Sequence, residues 1–373
     1  MRSVYGAPAL IDPTNGDLMT GNDRDAPSAE IAFVGDLMLA RKISQALVAG
    51  RAPAAFWGDV RPRLLAADAV VGNLECALSE RRERPVRKAY YFPADPGATE
   101  ILAAGNIRCV ALANNHVLDA GPGGLADTLG NLNRAGIVYA GAGENRDVAL
   151  TPTTFRAGRL TVGFASITNT VRAFAAGPKR PGTGFVRIRA NAMSAKLFRS
   201  LVAAMAGRAA DVKVLSVHWG PNFRPWPPRR YRAFARQAIE AGFDVVHGHS
   251  AHILQAVECY RNGLILYDTG NFLDDYWIMP PIRMDRSFLF LVTARLGSRL
   301  RLQLVPVSLD RGTVNLAKAG EAEAIRRGMI RRCGGHAVDF AADGEALSVL
   351  ARGDHETTIG PAERSIASAS KTA

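Results

Sequence analysis

Five places in this chain share one design: an apolar run, a Gly or Asn, and then a side chain able to bind a metal ion. They are Gly35-Asp36, Asn73 with Glu75, Asn115-His116, His218, and His249 with His252. Carboxylate, carboxamide and imidazole together make a mixed oxygen and nitrogen set, which suits divalent Mn, Zn or Fe. Five of the seven histidines (116, 218, 247, 249 and 252) fall in or beside these motifs, a concentration that core packing does not explain. The densest stretch is Val245-Val246-His247-Gly248-His249-Ser250-Ala251-His252. Val-Val reads as the end of a buried strand, Gly248 as a sharp turn, and the spacing of His249 and His252 can aim both rings at one point. His247 precedes the turn and points to the opposite face, so it is not counted as a ligand.

Each piece also has a plain reading. Asp36 would serve as an N-cap for the helix that follows, and Glu75 as a surface acid near the arginines at 81–84. Asn114-Asn115 would serve a turn, and His218 a satisfied place in the core. Trp219 reads better as packing than as the wall of a substrate groove. The specificity lies in the repeated placement at strand ends, because sites in α/β sheets lie outside the carboxyl ends of the strands.

The elements that must place these groups follow from hydropathy and punctuation. Strands are expected at Glu30 to Val34, Ala69 to Val71, Arg108 to Leu112, Ile137 to Ala140, Val212 to Val217 and Val245-Val246. Helices are expected at Leu39 to Ala49, Pro53 to Ala66, Pro96 to Ala104, Gly123 to Ala135, Ala190 to Arg208, Arg229 to Ala241 and Ala322 to Arg332. Hairpins are expected around Ala157-Gly158, over Arg261-Asn262-Gly263, and between Phe288–Arg295 and Arg301–Val307. The basic, aromatic segment 80–95 reads as a surface loop. Strands alternating with helices, then hairpins, predict one α/β domain over 29–352 in which two packed sheets carry helices outside. Residues 1–28, rich in Asp, Asn, Gly and Pro, and the Ser- and Ala-rich tail 353–373 read as disordered.

The chain has 373 residues, 48% of them hydrophobic and 21% charged, which is ordinary for a globular protein; a net charge of +12 is not. The excess is mostly Arg. It points to an acidic polymer or small anionic substrate, or else to compositional bias, and no nucleic-acid-binding motif accompanies it. Four scattered cysteines without a CxxC, no signal peptide and no bilayer-length apolar run favour a cytoplasmic protein, compatible with peripheral membrane association.

Six ordered blocks carry a resemblance. Phe33–Arg41 (FVGDLMLAR), Gly72–Glu75 (GNLE), Ala113–Gly121 (ANNHVLDAG), Val217–Gly220 (VHWG), Gly248–Gln255 (GHSAHILQ) and Asp268–Phe272 (DTGNF) are similar to the CapA family of poly-γ-glutamate capsule biosynthesis. That group is related to calcineurin-like metallophosphoesterases. The resemblance implies a four-layer α/β-β/α sandwich of two mixed sheets flanked by helices, with a divalent metal cleft. It implies metal ligation by Asp36, Asn115, His218, His249 and His252, with Glu75, or Asn73 in its place, at a metal-bridging position. His116 would protonate a leaving oxygen. Arg41 would hold a substrate carboxylate or phosphate and assist catalysis, with Asn73, Asn114 and Trp219 lining the substrate. Met38 stands where the phosphoesterase pattern carries a His, and Ser250-Ala251 where His-Pro is common. The implied function is a metal-dependent hydrolase or transferase on an acidic substrate, working with capsule-synthesis partner proteins. The alternatives are a polyanion-binding assembly subunit without catalysis, or a phosphoesterase.

Overall fold

The computed structural model of the protein describes residues 26–336 and 338–351. Five strands carry the site: β1 (Ser28–Leu37), β2 (Ala69–Leu74), β3 (Ile107–Ala111), β4 (Val212–His218) and β5 (Val245–His249). In the first sheet β1, β2 and β3 are parallel neighbours, continued by Val138–Ala140 on one side. On the other side antiparallel Arg286–Arg295 and Arg301–Asp310 follow. In the second sheet β4 and β5 are parallel, between Leu160–Thr168 and Gly263–Leu266.

The strands alternate side chains, and that alternation builds the layers. Ile31 and Phe33 of β1 face a core shared with the second sheet, where they meet Phe164, Val214 and Val246. Ala32 and Val34 face the opposite way, into a second core with Leu64, Ile101, Leu102, Leu125 and Leu132 from the outer helices. Helices Lys196–Ala206 and Arg229–Glu240 pack against the second sheet through Phe198, Leu201 and Phe234. The result is the expected α/β-β/α sandwich. Truncating a fully buried ring such as Phe33 costs about 3–5 kcal/mol.

Parallel pairing aligns the carboxyl ends of β1, β2 and β3 in one sheet and of β4 and β5 in the other, and the two sets of ends meet at the site. The register does the rest: Asp36 pairs with Asn73 on β2 and with Asn271 of the short strand Asn271–Leu273. His218 on β4 pairs with His249 on β5. Two glycines permit the close approach behind this edge. A Cβ on Gly35 would stand 1.9 Å from the Gly270 carbonyl oxygen, and one on Gly248 would stand 2.2 Å from that of Tyr267.

Gly248 therefore differs from the expectation. It lies inside β5 and admits a neighbouring backbone; the turn comes later, at Ser250 (φ 115°) and His252 (φ 59°). The expected helix 190–208 is a short 3-10 turn, Ala192–Ser194, followed by Lys196–Ala206. Strands Asn271–Leu273 and Thr313–Leu316 and the hairpin Val338–Asp343/Ala346–Ala351 were not foreseen. Residues 1–25 of the lead-in and all of the tail lie outside the described residues; of the lead-in's last three residues, Ser28 already begins β1. Among the described residues no helix is long and apolar enough to cross a membrane, and all four cysteines are free.

Candidate metal centre

The edge brings most of the expected groups into two clusters that share one carboxylate. Ligand-capable atoms of Asp36, His218 and His249 lie within 4.8 Å of one another, and so do those of Asp36, Glu75 and His252. Nδ1 of His252 is 3.1 Å from Asp36 Oδ2 and 3.8 Å from Glu75 Oε2. Nδ1 of His218 is 2.8 Å from Nδ1 of His249. All five side chains are buried.

A ligand-hungry set shows itself by polar atoms without partners, since a buried oxygen that makes no hydrogen bond costs about 1–3 kcal/mol. Both oxygens of Glu75 and Asn115 Oδ1 are buried without a hydrogen-bond partner, and Asp36 Oδ2 has only the His252 ring beside it, at 3.1 Å. A divalent cation among the clustered atoms of Asp36, Glu75 and the imidazoles would satisfy the Glu75 oxygens, so the residues present fit such an ion.

The electrostatics agree. Burial raises the Asp36 carboxyl, but the hydrogen bond and charge of His252, with His249 and His218, bring it well below the usual carboxylate range. Burial and the negative charge of Asp36 push Glu75 well above that range. Burial lowers His218 to about 3 and takes His249 well below the ordinary imidazole value, aided by its His218 neighbour. Both rings are thus neutral, as metal ligation requires. His252 is the exception: although burial opposes it, Glu75 and Asp36 hold it up at about 10.

The other expected residues have their own places. Asn73 donates from Nδ2 to Asp36 Oδ1 (2.8 Å) and accepts from Asn114 Nδ2 (3.0 Å). Asn114 also donates to the Leu74 carbonyl and accepts from the backbone N–H groups of His116 and Val117. Both amides are committed to orienting the ligand loops. His116 stacks on Phe92 (centroids 4.1 Å apart), with Nδ1 2.6 Å from Asp119 Oδ2. Arg41, at φ 56°, sets Nε 3.4 Å from Asp275 Oδ1 and its guanidinium over Tyr276. Asp275 and Tyr276 also line a cavity of about 740 Å³, with Lys42, Arg51 and Trp277. Trp219 is 2% exposed, stacks on Tyr231, and donates its indole N–H to the Tyr267 carbonyl (2.9 Å), so it sits in the core.

Residues 30–276 match the family described as bacterial capsule synthesis protein PGA_cap. The chain belongs to that capsule synthesis family. Among its relatives is a Mycobacterium tuberculosis protein named for an accessory role in polyglutamine synthesis. It is 32% identical over 282 residues, covering 72% of this chain and 74% of the relative. The PGA biosynthesis protein CapA of Bacillus subtilis is 28% identical over 249 residues (65% of this chain, 63% of that protein). The capsule biosynthesis protein CapA of Bacillus anthracis is 27% identical over 301 residues (78% and 70%).

Within this capsule synthesis fold, several residues at the site carried no separate signal in the sequence. Asp119 follows His116 by three positions inside a quoted block, and Asn271 likewise lies in a block; His252 Nδ1 is 3.0 Å from Asn271 Oδ1. Lys88 comes from the basic loop and bonds Asp119 and the Asn115 carbonyl. Ser216 sits one pleat behind His218, 2.9 Å from His249 Nε2.

Proposed function

We propose that this family member is a metal-dependent hydrolase or transferase that acts on an acidic substrate in capsule, poly-γ-glutamate or cell-wall polymer synthesis. The observation that carries the reading is the pair of buried carboxylates, Asp36 and Glu75, both Glu75 oxygens without a hydrogen-bond partner, gathered within 4.8 Å of imidazole nitrogens in two groups of three. Asp36, Glu75, Asn115, His218, His249 and His252 would hold Mn, Zn or Fe. When bound, such an ion supplies Lewis-acid polarisation of a carbonyl or phosphoryl oxygen and acidifies water.

The chain's own groups supply the proton chemistry. Asp119 Oδ2 accepts from Phe92 N–H (2.8 Å) and lies 2.6 Å from His116 Nδ1. The amine of Lys88 pairs with Asp119 Oδ1. The 2.6 Å contact with Asp119 Oδ2, shorter than the 3.1 Å contact of Lys88 Nζ with the same nitrogen, favours a proton on His116 Nδ1, and Nε2 is then the atom that takes up and delivers a proton. Burial brings His116 down to about 4, so the ring rests neutral. The negative charge of an incoming substrate raises its basicity. Arg41 and the loop 81–88 would hold the substrate's anionic groups.

A second reading has the chain grip an acidic polymer as an assembly subunit without turnover. The accessory role in the mycobacterial relative's name favours it. One experiment separates the two. Poly-γ-glutamate and aryl phosphates are incubated with wild type, His116→Ala and His249→Ala, each with its metal content measured. Turnover by wild type that both variants lose supports the enzyme; equal rates in all three contradict it. Salt-sensitive polymer binding without turnover, unchanged in His116→Ala, would support the subunit.

A further inference from the structure

His247 lies beside the candidate metal cluster but is not part of it. Its ring is fully buried against Phe33 (centroids 5.3 Å apart). Nε2 is 3.0 Å from the Val34 carbonyl oxygen, and Nδ1 is 3.1 Å from Ser216 Oγ. Ser216 Oγ is in turn 2.9 Å from His249 Nε2.

Donor and acceptor logic fixes every proton in this line. A carbonyl only accepts, so His247 carries a proton on Nε2. Thr269 Oγ1, 3.3 Å from the same nitrogen, sends its own proton to the Gly248 carbonyl and cannot supply that one. The ring has no carboxylate partner among these contacts, and a buried unpaired imidazolium is costly, so the ring is neutral and Nδ1 is bare. A bare Nδ1 takes the Ser216 hydroxyl proton. Ser216 Oγ then has only lone pairs to offer His249, so His249 Nε2 carries the proton. What remains on His249 is a bare Nδ1, the atom facing His218 Nδ1 at 2.8 Å and Asp36 Oδ1 at 3.9 Å. Running the chain the other way would need a proton on both nitrogens of His247.

We propose that Ser216 and His247 are positioning residues that lock His249 in the Nε2–H tautomer and present its Nδ1 lone pair to a divalent cation. This rests on the metal reading above for its purpose, although not for its protons. The line starts at Val34, two residues before Asp36 on the first sheet, and ends at His249 on the second. It therefore ties a carboxylate ligand and an imidazole ligand to one sheet-to-sheet spacing. Groups of this kind, which orient a ligand imidazole through its other nitrogen, change metal affinity by about 10–100-fold when removed.

Two measurements test the proposal. The first is histidine ¹⁵N NMR on metal-free wild type, reading the tautomer of each ring: Nε2–H on both His247 and His249 is expected. An Nδ1–H on His249 overturns the proposal, whether or not the protein binds metal. The second is calorimetric titration with Mn²⁺ alone, comparing wild type with Ser216→Ala and Ser216→Thr. The expected result is about 10–100-fold weaker binding in Ser216→Ala and near wild-type binding in Ser216→Thr, which keeps the hydroxyl. Equal affinity in Ser216→Ala overturns the positioning role and leaves the metal reading standing. Wild type that fails to bind Mn²⁺ counts against the metal reading, and the tautomer still decides the relay.

Discussion

The two sheets bring unlike halves to one edge. The six-stranded sheet offers nitrogen: His218 and His249 sit in register on β4 and β5, and a line of hydrogen bonds through Ser216 and His247 orients the His249 ring. The other sheet offers oxygen: Asp36 lies near the end of β1, Glu75 directly after β2 and Asn115 in the loop after β3, with both Glu75 oxygens and Asn115 Oδ1 buried without a hydrogen-bond partner. One half is pre-organised, while the other is unsatisfied as it stands. The lesson is that strand pairing fixes the imidazoles without help from an ion, whereas the carboxylates store an unfavourable burial that a cation would relieve.

The sharpest way to break this comparison is to remove the carboxylate that both clusters share. Asp36→Ala takes a ligand from each group of three, and bound metal is expected to fall from stoichiometric to background in elemental analysis. Next in size is His116→Ala, which removes no member of either cluster. Turnover should drop about 10²–10⁴-fold while metal content stays at the wild-type level. Loss of metal in that variant would mean that the acid and the ligands are not separate systems.

Glu75→Gln probes the unsatisfied half directly. Burial and Asp36 raise the Glu75 carboxyl well above 4.5. A raised acid holds its proton more tightly in the folded state, so its penalty is absent below the unfolded value and grows as pH rises above it. The metal-free variant should therefore melt higher than metal-free wild type at pH 7–8, by roughly 2–4 °C for each 1 kcal/mol relieved. The two should melt alike near pH 4. Metal affinity should nevertheless fall in the variant.

The smallest effect sits at the amino end of β5. Asp244 precedes β5 and is raised to about 6 by burial, although the Lys213 N–H bonded to it works the other way. Stability should slip as pH rises from about 4 to 6, in metal-free and metal-loaded protein alike, and Asp244→Asn should remove that slope. The Glu75 slope, by contrast, should vanish on metal loading.

Much of this was legible in the sequence. The buried strands 69–74, 107–111, 212–218 and 245–249 announce themselves as β-branched runs, and a metal-competent polar residue at or just beyond the end of each is conspicuous. The three residues of Asn271–Leu273 are too few to show a period, so the strand that places Asn271 beside Asp36 stayed hidden. The hairpin 338–343/346–351 sits at the sheet edge with much of its face in solvent, and its pattern is correspondingly weak. Lys88 is one cation among several in a basic loop, and only the fold singles it out by burying its amine against Asp119. Gly248 was legible as necessary and not for its reason, because a close approach by Tyr267 leaves no mark in local sequence.

The most direct test of the central claim is elemental analysis of untagged protein purified without added metal, with Asp36→Ala alongside. At least one equivalent of Mn, Zn or Fe is expected in wild type and background in the variant. Wild type without metal that also fails to take up Mn²⁺, Zn²⁺ or Fe²⁺ on titration, or a variant that retains the full equivalent, would contradict it.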